Sequence, residues 1–131
     1  RPFGEYKGQA AGYAGRLPEP LAMEDLVARV EAALGEPVSR VWAFGQPTVE
    51  TVGIISGGAA RFVDQVAAAG IDVFLTGETS HSNYHDAQEL GMNVIFGGHY
   101  ATETAGLKAL AEHLAERFGL ETLFLDLPTG V

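Results

Sequence analysis

The pattern of apolar and polar positions along the chain predicts alternating helices and strands. Between residues 22 and 34 the apolar residues recur at helical spacing, acidic residues occupy the first turn, and Gly35 follows as a stop signal. Two short runs rich in Val, Ile and aromatic residues, bounded by Gly and Pro, predict strands at 40–44 and 51–55. The first half of the chain therefore combines one amphipathic helix with two strands.

From residue 56 onward the chain repeats a unit made of a glycine-containing turn, a helix and a strand. The predicted helices begin after Gly58, near residue 82 and at His99, and the predicted strands cover 71–75, 93–96 and 122–125. The last helix carries a stripe of apolar side chains: Leu107, Leu110, Leu114 and Phe118. Strands that alternate with helices predict an α/β fold, with a mostly parallel sheet and helices on both faces.

The first 20 residues differ in composition from the rest of the chain. They contain four glycines and three prolines with few apolar neighbours, which gives more conformational freedom than a core element allows. We therefore predict a linker or surface arm over residues 1–20 and one α/β lobe over residues 21–131. The aromatic side chains of the arm could pack on this lobe or on a neighbouring subunit.

The charge balance excludes several classes of function. The chain has 17 Asp and Glu against 8 Lys and Arg, a formal charge of −9, and no cysteine. This charge repels phosphate backbones and anionic membranes, so nucleic acids and membrane surfaces are poor candidates as partners. Disulfides and cysteine-based zinc sites are excluded. Because no segment has the pattern of a membrane span or a signal peptide, we expect a cytoplasmic protein.

Three predicted strands end in polar turns that contain glycine: Ser56-Gly57-Gly58, Thr76-Gly77-Glu78 and Gly97-Gly98-His99. Ligands of open α/β sheets bind outside the carboxyl ends of the strands, so we expect the site there. The first turn has the free backbone N–H groups that bind phosphate, although its glycines could equally serve close packing. In the second turn, a carboxylate at Glu78 would face the crevice and is a candidate catalytic group.

The middle of the chain has a composition that suits a bound cation. No Lys or Arg occurs between Arg61 and Lys108, while the same stretch holds six carboxylates and three of the four histidines. An accidental gap in an acidic chain explains the same composition. Within the stretch, His99 and Glu103 are four residues apart on the last helix, where both side chains can reach one ion. We predict that they are metal ligands.

His81 and His85 form a second pair with helical spacing. They could be a rival metal pair or a solvated helix face, and His85 by itself could contact substrate or carry protons as an acid or base. His113 lies among charged residues on the outer face of the last helix, where a surface position is expected.

Several motifs in a fixed order resemble one known family. They are Ser56-Gly57-Gly58, the run Gly70 to Glu78, His85-Asp86-Ala87, the run Gly91 to Ile95, the run Gly97 to Leu110, and Phe124 to Pro128. In this order they resemble the C-terminal lobe of the NIF3-like proteins. The block from Gly97 to Leu110 is the most specific part.

The resemblance implies a longer two-lobed α/β protein that assembles as a toroidal hexamer. It implies a pair of divalent metal ions (Zn, Fe or Mn) between the lobes and a metal-dependent hydrolase, in a family often labelled GTP cyclohydrolase 1 type 2. The family motif that His99 and Glu103 match supplies a His and a Glu ligand, and a His-His pair and an Asp come from the N-terminal lobe. This chain begins at Arg1 and has no His-His pair, so we expect it to supply part of the site.

Two functions from different classes remain open at this point. In a hydrolase, Glu78 and His85 would be the catalytic candidates, and Ser56, Gly57 and Gly58 would bind a small-molecule substrate such as a nucleotide. The alternative is a non-catalytic metal- or ligand-binding oligomeric scaffold or regulatory protein. The sequence contains no clear nucleophile and no base–nucleophile pair, so it does not decide whether the protein is an enzyme.

Overall fold

A computed structural model describes residues 1–129 of the chain. It contains six strands and four α-helices, with a short 3-10 turn at Ala60–Phe62 before the second helix. The strands are β1 (Pro2–Tyr6), β2 (Gln9–Ala22), β3 (Arg40–Ala43), β4 (Thr48–Ile54), β5 (Val73–Thr76) and β6 (Asn93–Phe96); the helices are α1 (Met23–Leu34), α2 (Val63–Ala68), α3 (Asn83–Glu89) and α4 (His99–Phe118). The predicted lobe ended at residue 131, and its last two residues lie outside the described range.

All six strands belong to one sheet in the order β1-β2-β4-β5-β6-β3. Strands β4, β5 and β6 run parallel, whereas β1–β2, β2–β4 and β3–β6 are antiparallel pairs. The prediction of a mostly parallel sheet is therefore wrong, because the sheet is mixed. One physical reason is the short connection over residues 44–47, which cannot supply the long crossover of a parallel pair, so β3 and β4 run in opposite directions. Strand β3 lies at the far edge, antiparallel to β6.

The central strands are buried on both faces, as parallel strands between helices require. Phe74, Val94 and Phe96 pack on the α2 and α3 side, while Val73 and Ile95 pack on the α1 side. All five are at most 1% exposed. The two-residue alternation of a strand divides these residues between the two faces, and it gives the domain two cores separated by the sheet.

Residues 1–20, predicted as a linker or arm, form secondary structure instead. They make the β1–β2 hairpin, whose turn has left-handed backbone at Lys7 and Gly8, and β2 pairs with β4. The register of β2 shifts between Arg16 and Leu21, where two prolines interrupt the pairing. Strand β1 forms one edge of the sheet and β2 lies next to it, and most of their residues are exposed, which agrees with the few apolar residues of the segment.

Helix α4 begins at His99 as predicted, but its outer part lies at the surface. Leu107, Leu110 and Phe118 of the apolar stripe are more than half exposed. The segment after Gly119 contains no strand within the described residues, so the predicted strand at 122–125 is wrong. That segment is attached to the helix through the Tyr100 hydroxyl, which donates to Asp126 Oδ1 at 2.8 Å and accepts the Leu127 N–H at 2.7 Å. None of the described helices has the length and apolar composition needed to cross a membrane.

The surroundings of Tyr100 also change the pKa of its phenol. Loss of solvent around the phenol, together with the hydrogen bond to the Asp126 carboxylate, raises the pKa of Tyr100 above its ordinary value of 10.0. The hydrogen bond from Leu127 N–H acts in the opposite direction and is outweighed.

Asp72 joins the start of β5 to β4. Its Oδ2 accepts hydrogen bonds from the Glu50 N–H (3.0 Å), the Thr51 N–H (2.8 Å) and the Thr51 hydroxyl (2.7 Å). Burial raises the pKa of the Asp72 carboxyl, but these hydrogen bonds and the charge of Arg16 outweigh it and hold the pKa below its ordinary value of 3.8. The carboxylate is therefore stabilised in the folded state.

We predict that Asp72→Ala lowers the free energy of unfolding by about 1–3 kcal/mol at pH 7, because three donors lose their acceptor. A group whose pKa falls on folding stabilises the protein above its unfolded pKa and loses that effect as the pH falls through the folded pKa. The difference between wild type and variant should therefore shrink below pH 3.8. Urea unfolding across pH 7 to about pH 2 measures it. Asp64→Asn, at an exposed carboxylate on α2, is the control, and a difference that grows in acid would contradict the assignment.

Candidate metal site

The three polar turns meet at the carboxyl edge of the parallel strands, where backbone hydrogen bonds connect them. The Gly57 carbonyl accepts from the Thr76 hydroxyl (3.1 Å), the Gly77 N–H (2.9 Å) and the Glu78 N–H (3.3 Å). The Gly98 N–H in turn donates to the Gly77 carbonyl at 2.8 Å. The three turns therefore form one connected unit, which we call the triple turn: residues 56–58, 76–78 and 97–99.

Two positions of the triple turn, 57 and 77, require glycine because no space is left for a side chain. A Cβ at Gly77 would lie 2.7 Å from the Gly57 carbonyl oxygen and 2.8 Å from both His99 Cα and Thr102 Oγ1. Gly57 has a positive φ of 68°, and a Cβ there would lie 2.6 Å from Glu103 Oε1. Any larger residue at these positions would displace the side chains around His99.

Thr102 joins the first turn of α4 to the triple turn. Its Oγ1 accepts the Gly57 N–H at 3.0 Å and donates to the Gly98 carbonyl at 2.9 Å. This hydroxyl fixes the start of the helix against the first polar turn. It therefore helps to determine the positions of His99 and Glu103, which project from the same turn of helix.

The imidazole of His99 lies between two carboxylates. Its Nδ1 is 3.3 Å from Glu78 Oε2, and its Nε2 is 3.2 Å from Glu103 Oε1. The His99 side chain is 36% exposed and the two glutamates are 41% and 54% exposed, so the group is accessible from solvent. The structure thus brings the two predicted ligands together with Glu78, predicted as a catalytic residue.

The other predicted site residues occupy different positions. Gly57 and Gly58 lie against the three side chains, since a Cβ at Gly58 would be 2.7 Å from Glu78 Oε1. Ser56 is exposed directly before them. His85 is exposed on α3, with its ring centroid 5.4 Å from that of Tyr84, and it forms no ion pair with any carboxylate of residues 1–129. The catalytic role of His85 and the substrate role of residues 56–58 stay predictions.

The donor atoms are of the kinds that divalent transition metals prefer, namely imidazole nitrogen and carboxylate oxygen. Among residues 1–129, however, no three His, Cys, Asp or Glu side chains are grouped as a metal site. The geometry explains this, because Glu78 and Glu103 face opposite nitrogens of the His99 ring. The described chain therefore offers a pair of ligands, His99 Nε2 with Glu103, and a carboxylate that can orient the imidazole.

Sequence reasoning assigned no role to two residues of this site, Thr76 and Thr102. Both carry hydroxyls that connect the turns, and neither is a ligand or an acid. The position of Thr102 between His99 and Glu103, facing inward on the first helical turn, is the signal that could have indicated it. Thr76 is 0% exposed at the end of a strand, so its hydroxyl needs a partner, and the sequence gives no indication of which one.

The sequence and the fold together place the chain in a known family. The family model of Duf34/NIF3 (NGG1p interacting factor 3) matches residues 1–129, so the chain belongs to the Duf34/NIF3 family. A protein named GTP cyclohydrolase 1 type 2 homolog from Deinococcus radiodurans is 42% identical over 131 residues, which cover 100% of this chain and 49% of that protein. One of the same name from Pyrococcus abyssi is 41% identical over 130 residues, covering 99% and 52%. The chain spans about half the length of the curated relatives it matches.

Solved structures share this fold. A protein named ybgI, described as of unknown function, has a TM-score of 0.84 and 34% identity over 94% of this chain and 50% of its own. The crystal structure of TTHA1606 from Thermus thermophilus has a TM-score of 0.80 and 41% identity over 95% and 48%. The family resemblance deduced from the motifs is confirmed.

We predict that Gly77→Ala destabilises the protein by about 1–3 kcal/mol and displaces His99, because its methyl group would meet backbone atoms that cannot move independently. The matched control is Gly106→Ala on α4, where nothing lies within 4 Å of an added Cβ. In that helix alanine should stabilise by up to about 1 kcal/mol. Thermal unfolding of both variants and the NMR signal of the His99 ring provide the measurements. Equal stability of the two variants would refute the steric argument.

Proposed function

We propose that this chain is one lobe of a dinuclear metal-dependent hydrolase and that His99 and Glu103 contribute ligands to its divalent ions. The observation that carries the proposal is the His99 imidazole placed between two carboxylates at the carboxyl ends of parallel strands. The name shared by the relatives, GTP cyclohydrolase 1 type 2 homolog, supports a nucleotide such as GTP as the substrate class.

The residues present fit such an ion. His99 Nε2 and Glu103 Oε1 face each other at 3.2 Å, so both donor atoms are turned to one side of the first turn of α4. The absence of a side chain at Gly57 lets the Glu103 carboxylate lie beside His99 Nε2. Glu78, near His99 Nδ1, is placed to accept the proton of that nitrogen, which keeps Nε2 unprotonated and available as a ligand. Zn, Fe and Mn all accept this combination of ligands.

The described residues supply only part of a complete centre, since stable metal sites have three or four protein ligands. In the proposed whole protein, the remaining ligands come from a second lobe, and the protein assembles as a homohexamer. A divalent ion held there would polarise a substrate oxygen and lower the pKa of a water molecule bound to it. The residues of this chain hold the ligands in place, and Glu78 provides a carboxylate that can accept a proton beside the reacting atoms.

We predict that the chain binds Zn²⁺ or Mn²⁺ weakly and that His99→Ala abolishes the binding. Glu103→Gln should weaken it strongly, because the amide is a poorer ligand than the carboxylate. Glu78→Gln should reduce the affinity by about tenfold to a hundredfold, since Glu78 orients the imidazole and is not itself a metal ligand. Isothermal titration of each variant with the metal alone gives the dissociation constants.

Two histidines serve as controls for that titration. His81→Ala tests the rival pair of His81 and His85, and His113→Ala tests an exposed position on the same helix as His99. Both variants should bind like the wild type. If His81→Ala removes binding while His99→Ala retains it, the metal belongs to the α3 face and the assignment of His99 is wrong.

A turnover assay distinguishes the proposed hydrolase from the alternative of the sequence analysis, a non-catalytic scaffold. We predict slow hydrolysis of GTP or of a phosphomonoester by the metal-loaded chain, and a loss of this activity in His99→Ala. The initial rate with Mn²⁺, Zn²⁺ or Fe²⁺ at saturating metal is the measurement. Saturable metal binding without turnover of any of these substrates would favour the scaffold.

A further inference from the structure

A hollow of about 280 Å³ adjoins the candidate metal site on the side of Glu78. Its walls come from the first polar turn, the start of the following helical segment and the loop that leads into α3. The lining residues are Gly58, Ala60, Arg61, Glu78, Thr79, Ser80, Ser82 and Asn83. Nearly all the side chains in it are polar, so the hollow suits a polar group of a ligand rather than an apolar one.

Arg61 is held in position at this hollow by its own neighbours. Its Nη1 donates to the Gly58 carbonyl at 3.0 Å, and its Cζ lies 5.1 Å from the centroid of Tyr6 and 4.9 Å from that of Phe62. Among residues 1–129 it forms no ion pair. A guanidinium group fixed in this way loses little conformational entropy when it binds, and its other N–H groups are available to an acceptor.

The loop opposite Arg61 offers hydroxyl donors. The Ser80 and Ser82 hydroxyls lie 2.8 Å apart, so one donates to the other and the second hydrogen remains for a ligand. Thr79 adds a further exposed hydroxyl. The amide of Asn83 is directed to Asp86, to which its Nδ2 donates at 3.3 Å. A planar guanidinium with two or three hydroxyl donors is a donor set that matches the oxygens of a phosphoryl group.

We infer that this hollow binds a phosphoryl group and that Arg61 is the residue that recognises it. The hollow borders Glu78, and Glu78 lies 3.3 Å from His99, so a phosphoryl group bound there would be adjacent to the proposed metal ligands. The assignment of this group to a substrate rests on the proposed function. The binding itself depends only on residues of the hollow.

The carboxylate of Glu78 is the negative charge on the wall of the hollow, and it opposes an anion. The contact between Glu78 Oε2 and His99 Nδ1 reduces that opposition, because it directs part of the carboxylate charge to the imidazole. In a protein with a net charge of −9, Arg61 is the positive charge of the hollow on which anion binding there depends.

NMR titration of the ¹⁵N-labelled full chain with inorganic phosphate, in metal-free buffer, tests the inference. We expect saturable shifts of the Arg61 Nε–Hε signal and of the Gly58 and Ser80 amides. Arg61→Gln should weaken the affinity at least about tenfold, which corresponds to loss of one charge-assisted hydrogen bond. Arg61→Lys keeps the positive charge but lacks the planar guanidinium, so its affinity for phosphate should lie between those of the wild type and Arg61→Gln. The spectra also show whether each variant is folded.

Arg117→Gln is the matched control, because Arg117 also lies over a neighbouring aromatic ring, with its Cζ 5.7 Å from the Phe118 centroid, at the far end of α4. The Arg117→Gln variant loses the same charge as Arg61→Gln, and its affinity for phosphate should equal that of the wild type. An equal loss in Arg61→Gln and Arg117→Gln would show a general charge effect and overturn the inference. Shifts confined to residues outside the hollow would overturn it as well.

Adenosine monophosphate and adenosine distinguish the source of the phosphoryl group. Shifts with adenosine monophosphate but not with adenosine indicate a phosphate ester, and shifts with inorganic phosphate alone indicate the free anion; both support the hollow as a phosphoryl site. No saturable shift with either phosphate compound overturns it. Because these titrations contain no metal, a failure of His99 and Glu103 to bind metal would refute the proposed function and leave this result unaffected.

Discussion

The candidate site at the carboxyl edge of the parallel strands depends on the carbonyl group of Gly57 and on the three hydrogen-bond donors that it accepts. Thr76, Gly77 and Glu78 all direct an N–H or O–H to that one oxygen, which draws the ends of two neighbouring parallel strands together. The approach is possible only because Gly77 has no side chain. Once the turns are joined, the start of α4 is fixed against them through Thr102, and His99 has little freedom in where it can lie.

The site combines opposite electrostatic demands within a small volume. The side that holds His99 is rich in carboxylates and suits a cation, whereas the hollow beside Glu78 carries Arg61 and hydroxyl groups that suit an anion. A substrate with a phosphoryl group next to a reacting oxygen would satisfy both. Because the whole chain is acidic, Arg61 has a large role in determining which ligand the hollow accepts.

Apolar side chains are exposed on the outer surface of α4 and on the segment after it. Leu123, Leu125 and Leu127 are each at least 69% exposed, in addition to the exposed Leu107, Leu110 and Phe118 of the helix. Exposed apolar side chains are costly to hydrate, and larger groups of them commonly mark interaction surfaces.

The sequence by itself determined the elements whose signals are local. The helix ending at Gly35, the strand at 93–96, the start of α4 at His99 and the pairing of His99 with Glu103 follow from periodicity, capping and spacing, and the motifs indicated the family. Tertiary structure decided the rest. Strand direction, the hairpin of the first 20 residues and the contact of Glu78 with His99 depend on which distant segments pair. Such pairing is a property of the whole fold, because hydrogen bonds between strands carry no local sequence signal of their partner.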